Sequence, residues 1–204
     1  VAFAADDEEG WERLRAEGEI ARAWRSAGIP APNILGEHPT DRIQVRERLE
    51  GVTGDIVEQR LFGTDPAIVD RYHPDAPLTA FGETLAESYG ELAARIHRAI
   101  TPATGAALGL GAHPRLDLED AASRLVQYGA SPAAVAAVAR LRADRSSPPP
   151  ADAVLHGDLH FHNLVLAEDG RIIGVFDLDA VAIGLRWTDL QYLHSLGPQF
   201  VARG

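Results

Sequence analysis

Residues 154–166, VLHGDLHFHNLVL, place three histidines, an aspartate and an asparagine between two apolar flanks. Three readings fit such a set. His156, Asp158, His160 and His162 alternate, so a regular strand would carry all four on one face, as a zinc site needs. A polar turn between two strands could hold the same residues. The third reading is phosphoryl transfer, which needs a carboxylate for the acceptor hydroxyl and oxygen ligands for a Mg²⁺ that bridges the phosphates of ATP. Asp158 can be that carboxylate, and Asn163 can offer an amide oxygen to the metal. A second ligand should come from a neighbouring strand. Asp177 ends the apolar run IIGVF, and the EDG signal at 168–170 predicts a hairpin that folds this run back on NLVL. Gly157 and the crowding of polar side chains favour a loop over a strand at 156–163.

The chain around this loop has 204 residues, 46% hydrophobic and 24% charged, an ordinary soluble-domain balance long enough to bury a core. No apolar run is long enough to span a membrane, and residues 1–10 lack the basic start and apolar stretch of a signal peptide. Cysteine is absent, which excludes disulfides and thiolate metal sites and fits a reducing cytoplasm. A formal net charge of -11 argues against nucleic-acid binding and leans toward a cationic small-molecule partner. All 19 basic residues apart from histidine are arginine, and there is no lysine.

The elements that must position the loop are legible in outline. Residues 1–5 read as the tail of a strand. Trp11, Leu14, Ile20 and Trp24 recur at helical spacing over 7–27, with Gly28 as the stop. IPAPNIL leads into an extended segment. RIQVRERLEG alternates at Ile43, Val45 and Glu47 and reads as a strand and turn closed by Gly51. The pattern is helical from residue 52. Its strongest helix is LTAFGETLAESYGELAARIHRAI, with Leu78, Phe81, Leu85, Tyr89, Leu92, Ile96 and Ile100 at steps of three and four. TPATGAALGLGAHP reads as a loop, 117–128 and 132–143 as helices, and SSPPPAD as an extended break. A last helix begins at a Thr188/Asp189 cap.

HGDLHFHN, the hairpin after it, and then GVFDLDAVAIG and TDL resemble the aminoglycoside phosphotransferase family, a branch of the protein-kinase-like fold. That family's signature is His-Gly-Asp-x-x-x-x-Asn followed by an aspartate at a strand end. YGELAARIHRAI resembles its long core helix, RAEGEIARAWRSAGIPAPNIL its first helix and the approach to the next strand, and VRERLEG the hinge that borders adenine. The resemblance implies an α+β, protein-kinase-like two-lobe fold, with a partial N-terminal lobe over 1–50 and a mainly helical C-terminal lobe over 51–204.

It also implies roles. Asp158 is the catalytic aspartate, and Asn163 and Asp177 hold Mg²⁺. His156 and Asp189 support the loop, with His160 and Asp179 secondary. His162 stands where the family often has glycine. Glu17 pairs with the lysine that binds the ATP phosphates, and backbone groups of Glu47 and Leu49 hold adenine. The implied cofactors are ATP and Mg²⁺, and the implied partner is a small-molecule hydroxyl acceptor. The family's acceptors include aminoglycosides, macrolides, choline, homoserine and sugars, so resistance and metabolic roles both follow.

Two parts of the pattern are missing, the lysine and the Gly-rich loop over the phosphates. The chain starts at Val1 rather than methionine, so both are expected on strands upstream of it. Two other classes stay open: a kinase-like pseudoenzyme that binds nucleotide without turnover, and a zinc hydrolase built on His156, His160 and His162.

Overall fold

In the computed structural model, which describes residues 1–53, 79–113 and 151–192 and isolated positions elsewhere, the first helix α1 spans Glu8–Ser26. The Asp7 side chain accepts the Gly10 N–H at 2.8 Å, and Glu8 and Glu9 add negative charge to the first turn. At the other end Gly28 takes φ 77, and Gly28 N–H and Ile29 N–H return to the Arg25 and Trp24 carbonyls, each at 2.9 Å. That is the glycine-dependent helix stop expected from the sequence. Trp11, Leu14, Ile20 and Trp24 form its buried stripe.

Helix α1 lies beside a three-stranded antiparallel sheet of β1 (Ala2–Ala4), β2 (Ile34–His38) and β3 (Ile43–Arg46), in the order β1-β3-β2. The alternation at Ile43 and Val45 suggested an apolar inner face. The structure buries the opposite face instead: Gln44 and Arg46 are inside, while Ile43 and Val45 are half-exposed. The reason is a polar link to α1. Gln44 Nε2 donates to the Leu14 carbonyl at 3.1 Å and to Glu37 Oε1 at 2.9 Å. Gly18 makes room for it, since a Cβ there would come within 2.4 Å of Gln44 Nε2.

The strongest predicted helix is α2 (Ala80–Ala99), capped by Thr79, whose hydroxyl accepts the Gly82 N–H at 3.1 Å. Leu85, Tyr89, Leu92 and Ile96 are fully buried and pack with Ile20, Trp24, Leu159, Leu164 and Leu178 in the main core. The segment from Thr101 was expected to be a loop. It contains a short helix, α3 (Pro102–Ala107), because Thr101 caps it and proline suits the first helical turn.

Beyond it, β4 (Ala153–Leu155) pairs antiparallel with β7 (Ala182–Gly184), a partner that the sequence did not suggest. The predicted hairpin is present as β5 (Leu164–Leu166) and β6 (Ile172–Val175). Val52, read from sequence as the start of a helical pattern, bridges to Leu166 instead. The helix expected from a Thr188/Asp189 cap starts differently too. Arg186–Leu190 form a 3₁₀ turn whose N-cap is Leu185, which has no polar side chain to cap it, and Asp189 lies inside the turn with its carboxylate on the His156 N–H. The helices expected over 117–128 and 132–143 and the SSPPP break lie outside the described residues.

The chain divides into two compact units, Val1–Ala112 with Ala151–Gly204, and His113–Pro150. Every residue singled out for chemistry belongs to the first. Among the described residues no helix is long and apolar enough to cross a membrane.

Candidate active site

Strand β4 delivers the chain to His156, and the loop after it is pinned from below by one buried carboxylate. Asp189 Oδ2 accepts the His156 N–H at 3.0 Å and Oδ1 accepts the Gly157 N–H at 2.9 Å. His97, at the end of α2, adds its Nε2 to Asp189 Oδ2 at 2.9 Å. The Tyr89 hydroxyl lies between the carbonyls of Leu159 and Asp189 and ties the same node to the middle of α2. Gly157 has φ 86, and a Cβ there would fall 2.1 Å from the Ala180 carbonyl oxygen, so only glycine passes.

His156 is fully buried beside Trp24. Its Nε2 meets the Phe176 carbonyl at 3.0 Å, and its Nδ1 accepts the Asp158 N–H at 3.3 Å. Burial holds its pKa below the usual histidine value, against the opposing pull of Asp189. The ring is therefore a neutral strut between the loop and the end of β6, with Nε2 carrying the proton.

The loop then presents Asp158 and Asn163 to each other. Asn163 Nδ2 donates to the Asp158 carbonyl at 2.8 Å and to Asp158 Oδ2 at 3.1 Å. This fixes the amide with its oxygen turned away from Asp158, and among the described residues that oxygen has no partner. The Tyr192 hydroxyl donates to Asp158 Oδ1. Burial and this bond to Asp158 push the tyrosine pKa up to about 12. The ring of His160 sits edge-on to Tyr192 at 4.6 Å and stacks with His162 at 4.8 Å. His160 and His162 thus flank the loop, while His156 points into the core. The three do not converge, and among the described residues no three metal-capable side chains form a cluster. The zinc reading loses its ligand set for this geometric reason.

Asp177 follows β6, whose hairpin partner brings Phe176 N–H to the Asn163 carbonyl at 3.0 Å. Its φ of 63 is a left-handed conformation that costs a non-glycine residue about 1 kcal/mol or more. Among the described residues its carboxylate makes no hydrogen bond or ion pair. Burial raises its pKa, and the charges of Asp179 and then Asp158 add to the rise. A strained, unpartnered carboxylate, with an unused amide oxygen at the residue just before the paired strand, has the donor chemistry that a hard divalent cation requires. The residues present therefore fit Mg²⁺.

Asp177 and Asp179 line a cavity of about 530 Å³ whose wall also carries Glu17, Arg46, Glu47 and Leu49. That size suits a small ligand or cofactor. The Glu47 N–H is taken by the Asn33 carbonyl at 2.8 Å, and its carboxylate by Arg25 and the Asn33 N–H. Among the described residues the Glu47 carbonyl and the Leu49 N–H have no backbone partner, leaving one acceptor and one donor on this edge. A second cavity of about 610 Å³ shares Phe3, Leu14, Glu17 and Asp179 and runs along α1. Asp158 and Asn163 line neither cavity.

Sequence reasoning missed Tyr192 and Arg46 and gave no role to His97. Only Arg46 left a usable signal. It shares a strand face with Gln44 and ends the run that alternates the other way. Glu17 has no lysine partner but an arginine, with Arg46 Nη2 at 2.7 Å from Glu17 Oε2.

The family model described as "Phosphotransferase enzyme family" (APH) matches residues 5–203. No curated protein matches the sequence. Among solved structures, the fold is similar to macrolide 2′-phosphotransferase type I, with a TM-score of 0.67 and 17% identity. It is also similar to macrolide 2′-phosphotransferase MphH from Brachybacterium faecium, with a TM-score of 0.64 and 21% identity. In both cases the match covers 99% of this chain and 65% of the other. The GDP and kanamycin complex of APH(2″)-IIia is similar at a TM-score of 0.65 and 15% identity, covering 99% of this chain and 68% of that one. At these identities the likeness is one of fold, a kinase-like mixture of helices and strands.

Proposed function

The chain belongs to the APH phosphotransferase enzyme family, and from that premise we propose that it transfers the γ-phosphoryl group of ATP to a hydroxyl of a small molecule. The observation that carries this reading is one constellation. Asp158 and Asn163 are hydrogen-bonded to each other on a pinned loop, and the hairpin sets the unpartnered Asp177 across from them.

Asp158 orients the acceptor hydroxyl and takes its proton. Tyr192 and Asn163 hold the carboxylate in place until the acceptor arrives. The Asn163 amide oxygen and Asp177 would hold Mg²⁺, which supplies charge neutralisation for the phosphates. His156 and Asp189 keep the loop in shape, and His160 and Asp179 are secondary. The Glu47 carbonyl and the Leu49 N–H serve as acceptor and donor for the nucleobase. Residues 1–50 form the nucleotide-side lobe and 51–204 the helical lobe. Rate enhancement on such a site comes from positioning and fixed charge rather than covalent chemistry.

The acceptor class we favour is a cationic, hydroxyl-rich small molecule. A net charge of -11 supports it, and a similar structure binds kanamycin. A nucleotide-binding module without turnover is the second reading, since Glu17 is paired with Arg46 rather than with a lysine.

One experiment separates the two. Thermal shift with Mg-ATP reads binding, and ADP release across a panel of aminoglycosides, macrolides and amino alcohols reads turnover. Asp158→Ala should leave the Mg-ATP shift in place and lower turnover by about 10²–10⁴-fold. Near-normal ADP release by that variant would remove Asp158 from the mechanism. A thermal shift with no turnover on any acceptor supports the binding module.

A further inference from the structure

We propose that Arg46 is the residue that binds the polyphosphate of the nucleotide, in the position beside the helix glutamate where kinase-type enzymes place a lysine. This rests on the phosphotransferase reading and adds a residue that neither the motif nor the fold resemblance assigns.

Arg46 is only 5% exposed, at the end of β3. Its guanidinium is held from three directions. Nε donates to Gln44 Oε1 at 2.7 Å and Nη2 to Glu17 Oε2 at 2.7 Å. The Phe3 ring lies 4.7 Å from the guanidinium carbon, a cation–π distance. Gln44 is itself fixed by Leu14 and Glu37, and Gly18 leaves the space it needs. The arginine is thus locked before any ligand arrives.

A purely structural ion pair would use up the fork. Here the third nitrogen, Nη1, has no acceptor among the described residues, and Arg46 forms part of the cavity wall shared with Asp177 and Leu49. The same wall carries four carboxylates, Glu17, Glu47, Asp177 and Asp179, against two guanidinium groups, Arg46 and Arg48. A polyanion entering such a wall needs a fixed cation as well as a metal. Arg48 is exposed, so Arg46 is the cation whose position is set in advance. A guanidinium with one edge on a carboxylate and the other open is suited to a phosphate oxygen.

The test is calorimetric titration of wild type and Arg46→Gln with adenosine and with Mg-ATP. Wild type should bind Mg-ATP more tightly than adenosine. Arg46→Gln should weaken Mg-ATP by about 10–100-fold, the range of a lost charge-assisted hydrogen bond, and leave adenosine affinity unchanged. Arg46→Gln leaves the half-buried Glu17 without its partner, so Glu17→Gln/Arg46→Met is measured alongside, with both charges replaced. It should show the same selective loss. Unchanged Mg-ATP affinity in a folded variant, or equal losses for Mg-ATP and adenosine, would overturn the role of Arg46 and leave the phosphotransferase reading standing. Wild type that binds no Mg-ATP overturns both.

Discussion

Replacing Asp189 by asparagine should destabilise the protein far more than its near-identical shape suggests. The carboxylate receives three donors: His156 N–H at 3.0 Å, Gly157 N–H at 2.9 Å and His97 Nε2 at 2.9 Å. An asparagine has one acceptor oxygen and one donor nitrogen. Its better orientation keeps the oxygen toward His156 and His97 and turns the NH₂ toward Gly157. One buried N–H is then left facing another donor, a cost of about 1–3 kcal/mol. The two remaining bonds fall from charge-assisted to neutral, losing roughly 1 kcal/mol each. The sum is about 3–5 kcal/mol, the range seen when one member of a buried polar pair is removed. For a domain of this size that is a fall in Tm of about 6–20 °C. Urea denaturation, with an m-value near ~2 kcal/mol/M, should show the midpoint falling by about 1.5–2.5 M. Arg15→Ala, which removes an exposed ion pair with Glu12, serves as the control and should cost under about 1 kcal/mol. If Asp189→Asn is as mild as that control, the claim that this carboxylate holds the loop is refuted.

Further outcomes follow from the same geometry. Gly157→Ala combines φ 86 with a Cβ 2.1 Å from the Ala180 carbonyl oxygen, so soluble, wild-type-like protein would contradict the loop geometry. Gly18→Ala drives a methyl to 2.4 Å from Gln44 Nε2 and should cost about 1–3 kcal/mol in urea denaturation, with no loss if Gln44 is not packed there. His156 has a pKa lowered by burial, so the unfolded chain binds its proton first as pH falls. Its stabilising effect is therefore complete above the unfolded-state value of about 6.5 and is lost below it, by up to about 1.4 kcal/mol per pH unit, until the folded-state pKa is passed. Urea midpoints measured between pH 7.5 and 5 should fall less steeply for His156→Gln than for wild type, and parallel slopes would show that His156 is not the group titrating.

The sequence by itself determined the parts that rest on local periodicity and local chemistry. Gly28 marks a helix end because a left-handed stop is made by residues within a turn of each other. The EDG hairpin and the polar loop were legible for the same reason, as was the family resemblance, since its motif lies in one contiguous stretch. Contacts between distant segments were not legible. The pairing of β4 with β7 joins residues about thirty apart with no pattern to announce it. Tyr192 reaches Asp158, and His97 reaches Asp189, only once α2 and the 3₁₀ turn are packed together. Strand β3 makes the point most directly. A period of two says that Gln44 and Arg46 share a face, but not which face is inside. Apolarity favoured the other side. Tertiary structure chose the polar one, because Glu17, Glu37 and the gap at Gly18 give those two side chains the partners that make their burial stable.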